Sequence, residues 1–198
     1  DEISDMVEAM AFMLRYSIQT NLEEITIANE LNHVRHYMMI LQHRIGRDFE
    51  IEVATPPELL LEKMVRLSLQ PIVENIFQHA FPEGIEVWHY IRIDTRIEQD
   101  NLLVIVEDNG AGIADHKLDK LRKRLEENRL VDDDDGIHVR RRGGIGIVNV
   151  HRRIQMVYGE EYGITVHSSP DQGTSIVMTM PRMERVREQE SRLKQLQT

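Results

Sequence analysis

The chain has 198 residues, of which 41% are hydrophobic and 29% charged, with a formal net charge of -10 and no cysteine. That length holds one full domain with a sizeable core plus a smaller appendage, not two large domains. The acidic balance argues against nucleic acid as the main partner, the lack of cysteine removes disulfides, thiol nucleophiles and zinc-thiolate sites, and no apolar run approaches the roughly 20 residues of a membrane-spanning helix.

Ile3, Met6 or Val7, Met10, and Met13 or Leu14 recur at three- and four-residue steps, the period of an amphipathic helix. Asp1 stands inside this pattern, so the chain reads as a piece of something longer. Ile27, Leu31, Val34, Met38, Leu41 and Ile45 then form a narrow seam on a second helix, with Asn21 and Thr26 as caps or turn residues between the two. Residues 1–45 thus predict a helical hairpin, packed on the following domain or pairing with a second copy. His33, His36 and His43 fall away from the seam and are expected at the surface.

Residues 49–53 alternate like a half-buried strand, and Pro56-Pro57 stops them. Apolar spacing over residues 58–81 predicts one helix, with Pro71 removing a backbone donor and bending it. Residues 87–97 and 102–107 predict a hairpin, and the second of these is apolar on both faces, which marks a central strand. Helices are expected over residues 117–127 and 147–158, and a second hairpin over residues 164–168 and 174–180. The sum is a mixed sheet covered by helices on one face, a two-layer α/β sandwich. Residues 182–198 are charged and predict a solvated helix, so the expected division is 1–45, 46–181 and 182–198.

Three segments carry chemistry. In Gln70-Pro71-Ile72-Val73-Glu74-Asn75, the Asn75 amide oxygen is a hard, neutral ligand suited to Mg²⁺, which takes few protein groups. Glu74 can orient a metal-bound water or accept a hydroxyl proton, and Gln78 and His79 share the face of Asn75. The plain alternative is a polar pair facing solvent. Asp108 ends the central strand, where a carboxylate can accept a hydrogen bond from an exocyclic amine such as adenine's, while Gly110 and Gly112 leave room for a base against backbone. An ordinary strand-to-loop turn reads the same way. Gly143, Gly144 and Gly146 precede a helix with apolar residues Ile147, Val150, Ile154 and Val157, and its unpaired N–H groups suit phosphate.

With these segments in this order, the sequence resembles the GHKL superfamily of gyrase-type, chaperone, histidine kinase and mismatch-repair ATPases. Within it the wording is most similar to sensor histidine kinases of the LytS/YesM-like type. Their Leu-Gln-Pro-(Leu/Ile)-Val-Glu-Asn box matches residues 69–75, their Asp-x-Gly-x-Gly loop matches Asp108, Gly110 and Gly112, and their Gly-Ile-Gly-Leu-x-Asn-Val helix matches residues 144–150, with Ile147 for leucine and Tyr158-Gly159 at its end. Gly173-Thr174 matches a closing strand. Upstream, Leu14-Arg15-Tyr16, Glu30-Leu31, Tyr37 and Gln42-His43-Arg44 also fit. The resemblance implies a Bergerat ATP-binding fold using ATP and Mg²⁺. It implies that Asn75 holds the metal, Asp108 reads the adenine amine, Thr174 supports the adenine end, and Gly144 with Gly146 frames a mobile lid over residues 113–143. Gln78, His79, Ile113, Arg142, Gly143, Ile145 and Ile147 complete the expected binding set, with Glu74 and Asn75 in the catalytic role.

Two departures matter. A basic residue common in the family three positions after the box asparagine is Gln78 here, so Arg140, Arg141 and Arg142 are candidates for the phosphate contact, against a plain role balancing Asp132 to Asp135. Hydrolytic members carry a glutamate one turn before the asparagine, and that place is Pro71, which favours transfer over hydrolysis. The family keeps its acceptor histidine in an Asn-Pro-His-Phe context that this sequence lacks. The resemblance therefore implies the catalytic half of a membrane-anchored, cytoplasmic-facing sensor kinase that phosphorylates an upstream segment, pairs as a homodimer and hands phosphate to a response regulator. Its rivals are an anti-sigma-type serine kinase, an ATP-driven clamp, and an inactive nucleotide-binding module.

Overall fold

The computed structural model describes residues 7, 9–11, 22–45, 49–127 and 145–182. In chain order its elements are β1 (Glu24–Thr26), α1 (Ile27–Ile45), β2 (Ile51–Val53), β3 (Lys63–Val65), α2 (Leu69–His79), β4 (Ile91–Glu98), β5 (Asn101–Asp108), α3 (Asp115–Glu126), α4 (Ile145–Tyr158), β6 (Gly163–Ser168) and β7 (Thr174–Pro181).

The β4–β5 hairpin closes on Gln99 and Asp100, whose φ values of 49° and 66° make the left-handed turn that suits strand twist. β7 pairs antiparallel with β5 from Asn101 opposite Pro181 to Asp108 opposite Thr174. β6 closes that side and β2 lies parallel on β4, giving the order β2-β4-β5-β7-β6 with β5 at the centre. One sheet face presents Ile91 and Ile93, Leu102, Val104 and Val106, and Ile176 and Met178. These meet Ile72, Val73 and Ile76 of α2, Leu118 and Leu121 of α3, and Ile147, Val150 and Ile154 of α4 in a single core. The fold is the expected two-layer α/β sandwich. Among the described residues no helix is long and apolar enough to cross a membrane.

The second predicted helix is present as α1, and the Thr26 hydroxyl accepts the N–H of Asn29 as its cap. Its partner, the first predicted helix, falls largely outside the described residues. The strand ahead of α1 was not expected: β1 pairs antiparallel with β3, which knits this segment into the layer below it. The single helix predicted over residues 58–81 is corrected to a short 3-10 turn at Pro57–Leu59, strand β3 and helix α2. The break falls at Leu67, with φ of 56°, a left-handed turn that helical periodicity does not reveal. Pro71 consequently stands in the first turn of α2, where its missing donor costs nothing, and not at a bend. Residues 87–90 are a loop, not strand. His33 is corrected from surface to fully buried.

The hairpin end of the sheet is closed by backbone contact. A Cβ on Gly173, at φ of 78°, would lie 1.9 Å from the Asp108 carbonyl oxygen. Gly173→Ala is expected to cost about 2 kcal/mol in urea unfolding from left-handed strain and forced separation of the two loops. A loss below about 0.5 kcal/mol, the range of neutral surface changes, would contradict this packing.

Candidate functional site

Asp108 is the last residue of β5, and the strand's alternation turns it toward the helices, 4% exposed. Its Oδ1 accepts the Gly110 N–H at 2.8 Å. Burial pushes the carboxyl up to about 6, while the backbone N–H groups of Gly110 and Thr174 pull it back toward ionisation. Ser168, opposite Thr174 in the β6–β7 register, ties the neighbourhood together. Its hydroxyl donates to the Gly173 carbonyl at 2.8 Å, lies 3.0 Å from the Thr174 hydroxyl and accepts the Ile113 N–H at 2.9 Å. A pocket of about 260 Å³ opens here, lined by Asp108, Ser168, Gly173 and Thr174 with Tyr90 at its edge. Sequence reasoning missed Ser168. Its position opposite Thr174 in the predicted hairpin was the available signal.

The room expected beside Gly110 and Gly112 is filled by the chain itself. A Cβ on Gly110 would sit 2.3 Å from the Ala80 carbonyl oxygen, and one on Gly112, at φ of 67°, would sit 2.0 Å from that of Ser169. These glycines let the Asp108 loop press against the end of α2 and the 169–173 turn, where Ala111 N–H donates to Ala80 and Asp171 N–H donates to Ala111. Asn109 holds the next loop: its Oδ1 accepts the Tyr90 N–H and its Nδ2 donates to the Trp88 carbonyl.

The other end of the site is built on α2. Ile72, Val73 and Ile76 face the core, which turns Glu74 and Asn75 outward, both half-buried. Gln78 donates from Nε2 to Glu74 Oε1 at 3.2 Å, and Gln78 and His79 are exposed. The start of α4 lies against the first turn of α2, since a Cβ on Gly146 would be 3.5 Å from the Pro71 Cβ. A cleft of about 450 Å³ separates the two helices, lined by Gln70, Pro71, Glu74, Gly146, Asn149 and Arg152. α2 thus carries Glu74 and Asn75 at mid-length and meets the Asp108 loop at its C-terminal end. A larger pocket, about 540 Å³ between α1 and β2, contains none of the expected site residues.

Several expected residues fall elsewhere. The Ile147 side chain is 1% exposed and packs in the core, which leaves only its N–H, in the first turn of α4, to meet a ligand. Ile113 packs partly on that core and touches the site through its N–H alone. The lid expected from residue 113 is corrected over its first half: α3 buries Leu118, Leu121 and Leu125, and Arg122 donates to the Val166 carbonyl. Arg140, Arg141, Arg142, Gly143 and Gly144 lie outside the described residues. Ile145 opens α4. Nearby, His151 pins α4 to β6: its Nδ1 accepts the Ile164 N–H at 2.9 Å, and burial lowers its pKa while that bond raises it.

Residues 61–184 match the family described as "Histidine kinase-, DNA gyrase B-, and HSP90-like ATPase". The chain belongs to this ATPase family. Residues 1–49 match a second family, "Histidine kinase". Similar proteins include the sensor histidine kinase YesM of Bacillus subtilis, 33% identical over 180 residues, and the sensor histidine kinase BtsS of Escherichia coli, 26% identical over 181. Each alignment covers 91% of this chain and 28% of the relative, so the chain spans under a third of their length. The catalytic domain of histidine kinase ThkA shares the ATPase fold with a TM-score of 0.55 at 15% identity, covering 81% of this chain and 95% of that one. A mycobacterial sensor histidine kinase, MprB, superposes at 0.52 with 15% identity, covering 81% and 97%.

Proposed function

We propose that this ATPase-family chain is the ATP-binding catalytic region of a sensor histidine kinase and passes the γ-phosphoryl of ATP to a histidine on another segment. The observation that carries the reading is the buried Asp108, bonded to Gly110 and Thr174 at the end of the central strand, with Glu74 and Gly146 lining one cleft between α2 and α4 and Asn75 next to Glu74 on α2. The Asp108 carboxylate accepts the adenine amine, and Thr174 and Ser168 supply hydroxyls beside it. The N–H groups at the start of α4 face the phosphates, where the helix dipole favours negative charge.

The donor set suits Mg²⁺. Asn75 offers one neutral oxygen in a half-buried position, and no cluster of three or more His, Asp or Glu among the described residues competes for the ion. Bound there, the metal would neutralise charge on the phosphate oxygens. An imidazole nitrogen of the acceptor then bonds to the γ-phosphorus as the bond to the bridging oxygen breaks, ADP departs, and Glu74 takes the imidazole proton. Pro71 lines the cleft where hydrolytic relatives present a glutamate, so among the described residues lining it Glu74 is the one carboxylate that could prepare a water.

Residues 1–45 form the C-terminal part of an acceptor and dimerisation region, 46–181 the catalytic domain and 182–198 an appended tail. The full protein is a membrane-anchored homodimer with this region in the cytoplasm, and a response regulator receives the phosphate.

The test combines the chain, Mg-ATP labelled at the γ-phosphate, and a fragment carrying the upstream histidine. Acid-labile phosphate on the fragment is expected. Steady ATP hydrolysis without acceptor would instead identify a clamp, acid-stable phosphate a serine kinase, and ATP binding with neither product an inactive module.

A further inference from the structure

The elements that frame the phosphate end converge on one short turn, residues 66–69. From α1 comes Glu30, fully buried: its Oε1 accepts the Leu67 N–H at 2.7 Å, and its Oε2 accepts those of Ser68 and Leu69, each at 2.9 Å. From α4 comes Arg153, which donates to the carbonyls of Arg66 at 2.8 Å and Leu67 at 2.7 Å. Between them Leu67 is held in a left-handed conformation that a branched side chain rarely adopts. One turn along α1 from Glu30, His33 Nε2 lies 2.5 Å from Gln70 Oε1.

α2 does not cap itself. Ser68 occupies the cap position, but its hydroxyl donates back to the Val65 carbonyl. The N–H that opens α2, at Leu69, and those of Leu67 and Ser68 just before it are therefore satisfied by a carboxylate from a different helix, 37 to 39 residues away in sequence. A local cap would serve stability equally well. A remote, fully buried one also fixes where α2 begins relative to α1. Asn75 follows Leu69 by six residues, about 9 Å along a rigid helix, and Gln70 and Glu74 share one face.

We propose that Glu30, seconded by His33, is a positioning residue for the metal and phosphate end of the nucleotide site, so that displacement of α1 is passed through the first turn of α2 to Glu74 and Asn75. The proposal deepens the ATP-binding reading and rests on it for its functional half.

The experiment uses the chain as it stands, with Glu30→Gln, Glu30→Asp and the milder His33→Ala. Affinity for a non-hydrolysable ATP analogue is measured with Mg²⁺ and with EDTA, alongside amide hydrogen exchange of the nucleotide-free protein. Glu30→Gln keeps the size but sets an amide N–H against backbone donors. Its Mg²⁺-dependent gain in affinity should fall about tenfold, a typical coupling between linked sites. Its affinity in EDTA should stay within about twofold, because Asp108, Ser168 and Thr174 sit on the sheet. Glu30→Asp should recover part of the loss, and His33→Ala should show about a threefold fall. Amide exchange should quicken through Asn75 while β5 and β7 stay protected. A variant that melts earlier yet keeps the unsubstituted ratio of affinities, or loses both affinities equally, overturns the proposal. If the unsubstituted chain binds no nucleotide, the ATP reading fails on its own. The joint is then judged by exchange alone: quickening that reaches Asn75 supports it, and quickening confined to residues 67–69 overturns it.

Discussion

Asp108→Asn is expected to weaken nucleotide binding about a hundredfold, the loss typical of a hydrogen bond to a charged group, and to make the free protein more stable above pH 7. Both effects follow from one shift. Asp108 titrates near 3.8 ordinarily and near 6 in the folded chain, chiefly because burial disfavours the charge. A folded pKa raised above the unfolded value means that this group's contribution to stability is fully present below 3.8 and is lost as the pH rises through 6. At neutral pH the chain therefore carries a buried carboxylate at a cost on the order of 2–3 kcal/mol. The amide has no charge to bury and can still accept the Gly110 N–H, though its own N–H₂ needs partners, so a net gain of about 1 kcal/mol is expected. Urea unfolding at about pH 7.5 should show it, and the gain should vanish near pH 3.5. Identical stability curves for both proteins across that range would contradict it.

On the proposed reading the same carboxylate should give affinity a pH dependence. An adenine amine would donate to the ionised form, so binding should draw Asp108 back below its free value. Affinity should rise about tenfold per pH unit below 6, level off above about 7, and release a proton where the free group is protonated.

Asn75→Ala is expected to remove the effect of Mg²⁺ on binding and to reduce phosphoryl transfer by about a hundredfold or more, since even outer-shell changes cost 10–100-fold at metal sites. Asn75 is half-buried on α2, clear of the core residues Ile72, Val73 and Ile76, so truncation should leave unfolding almost unchanged. Loss of the Mg²⁺ effect without loss of stability separates a ligand from a packing residue. Binding that still tightens with Mg²⁺ would remove Asn75 from the metal's shell.

The sheet was legible wherever period-two alternation and turn chemistry agreed. β5 could be placed at the centre because Leu102, Val104 and Ile105 leave no polar face, and the Gln99-Asp100 turn fell where polar residues interrupt two strands. The 58–81 segment was not legible, because β1 and β3 are three-residue strands that exist only by pairing with each other. Periodicity reads local contacts, and a left-handed Leu67 leaves no mark on it. The site followed the same division. Asp108, Thr174, Asn75 and Glu74 were expected from the chemistry of their own side chains, and the structure sets Asp108 beside the Thr174 N–H and leaves Glu74 and Asn75 half-buried on α2. Ser168, Asn109 and Arg153 act through backbone groups of distant residues and were not expected. His33 lay off the α1 seam and was expected at the surface, yet the fold buries it, and Glu30, named only within the motif that carried the family resemblance, is buried with it.

The most direct measurement is a calorimetric titration of the chain with a non-hydrolysable ATP analogue, with and without Mg²⁺, repeated on Asp108→Asn. A single site that tightens with Mg²⁺ and weakens about a hundredfold without the Asp108 charge is expected. Absence of binding to the unsubstituted chain, or binding indifferent to both the metal and Asp108, would contradict it.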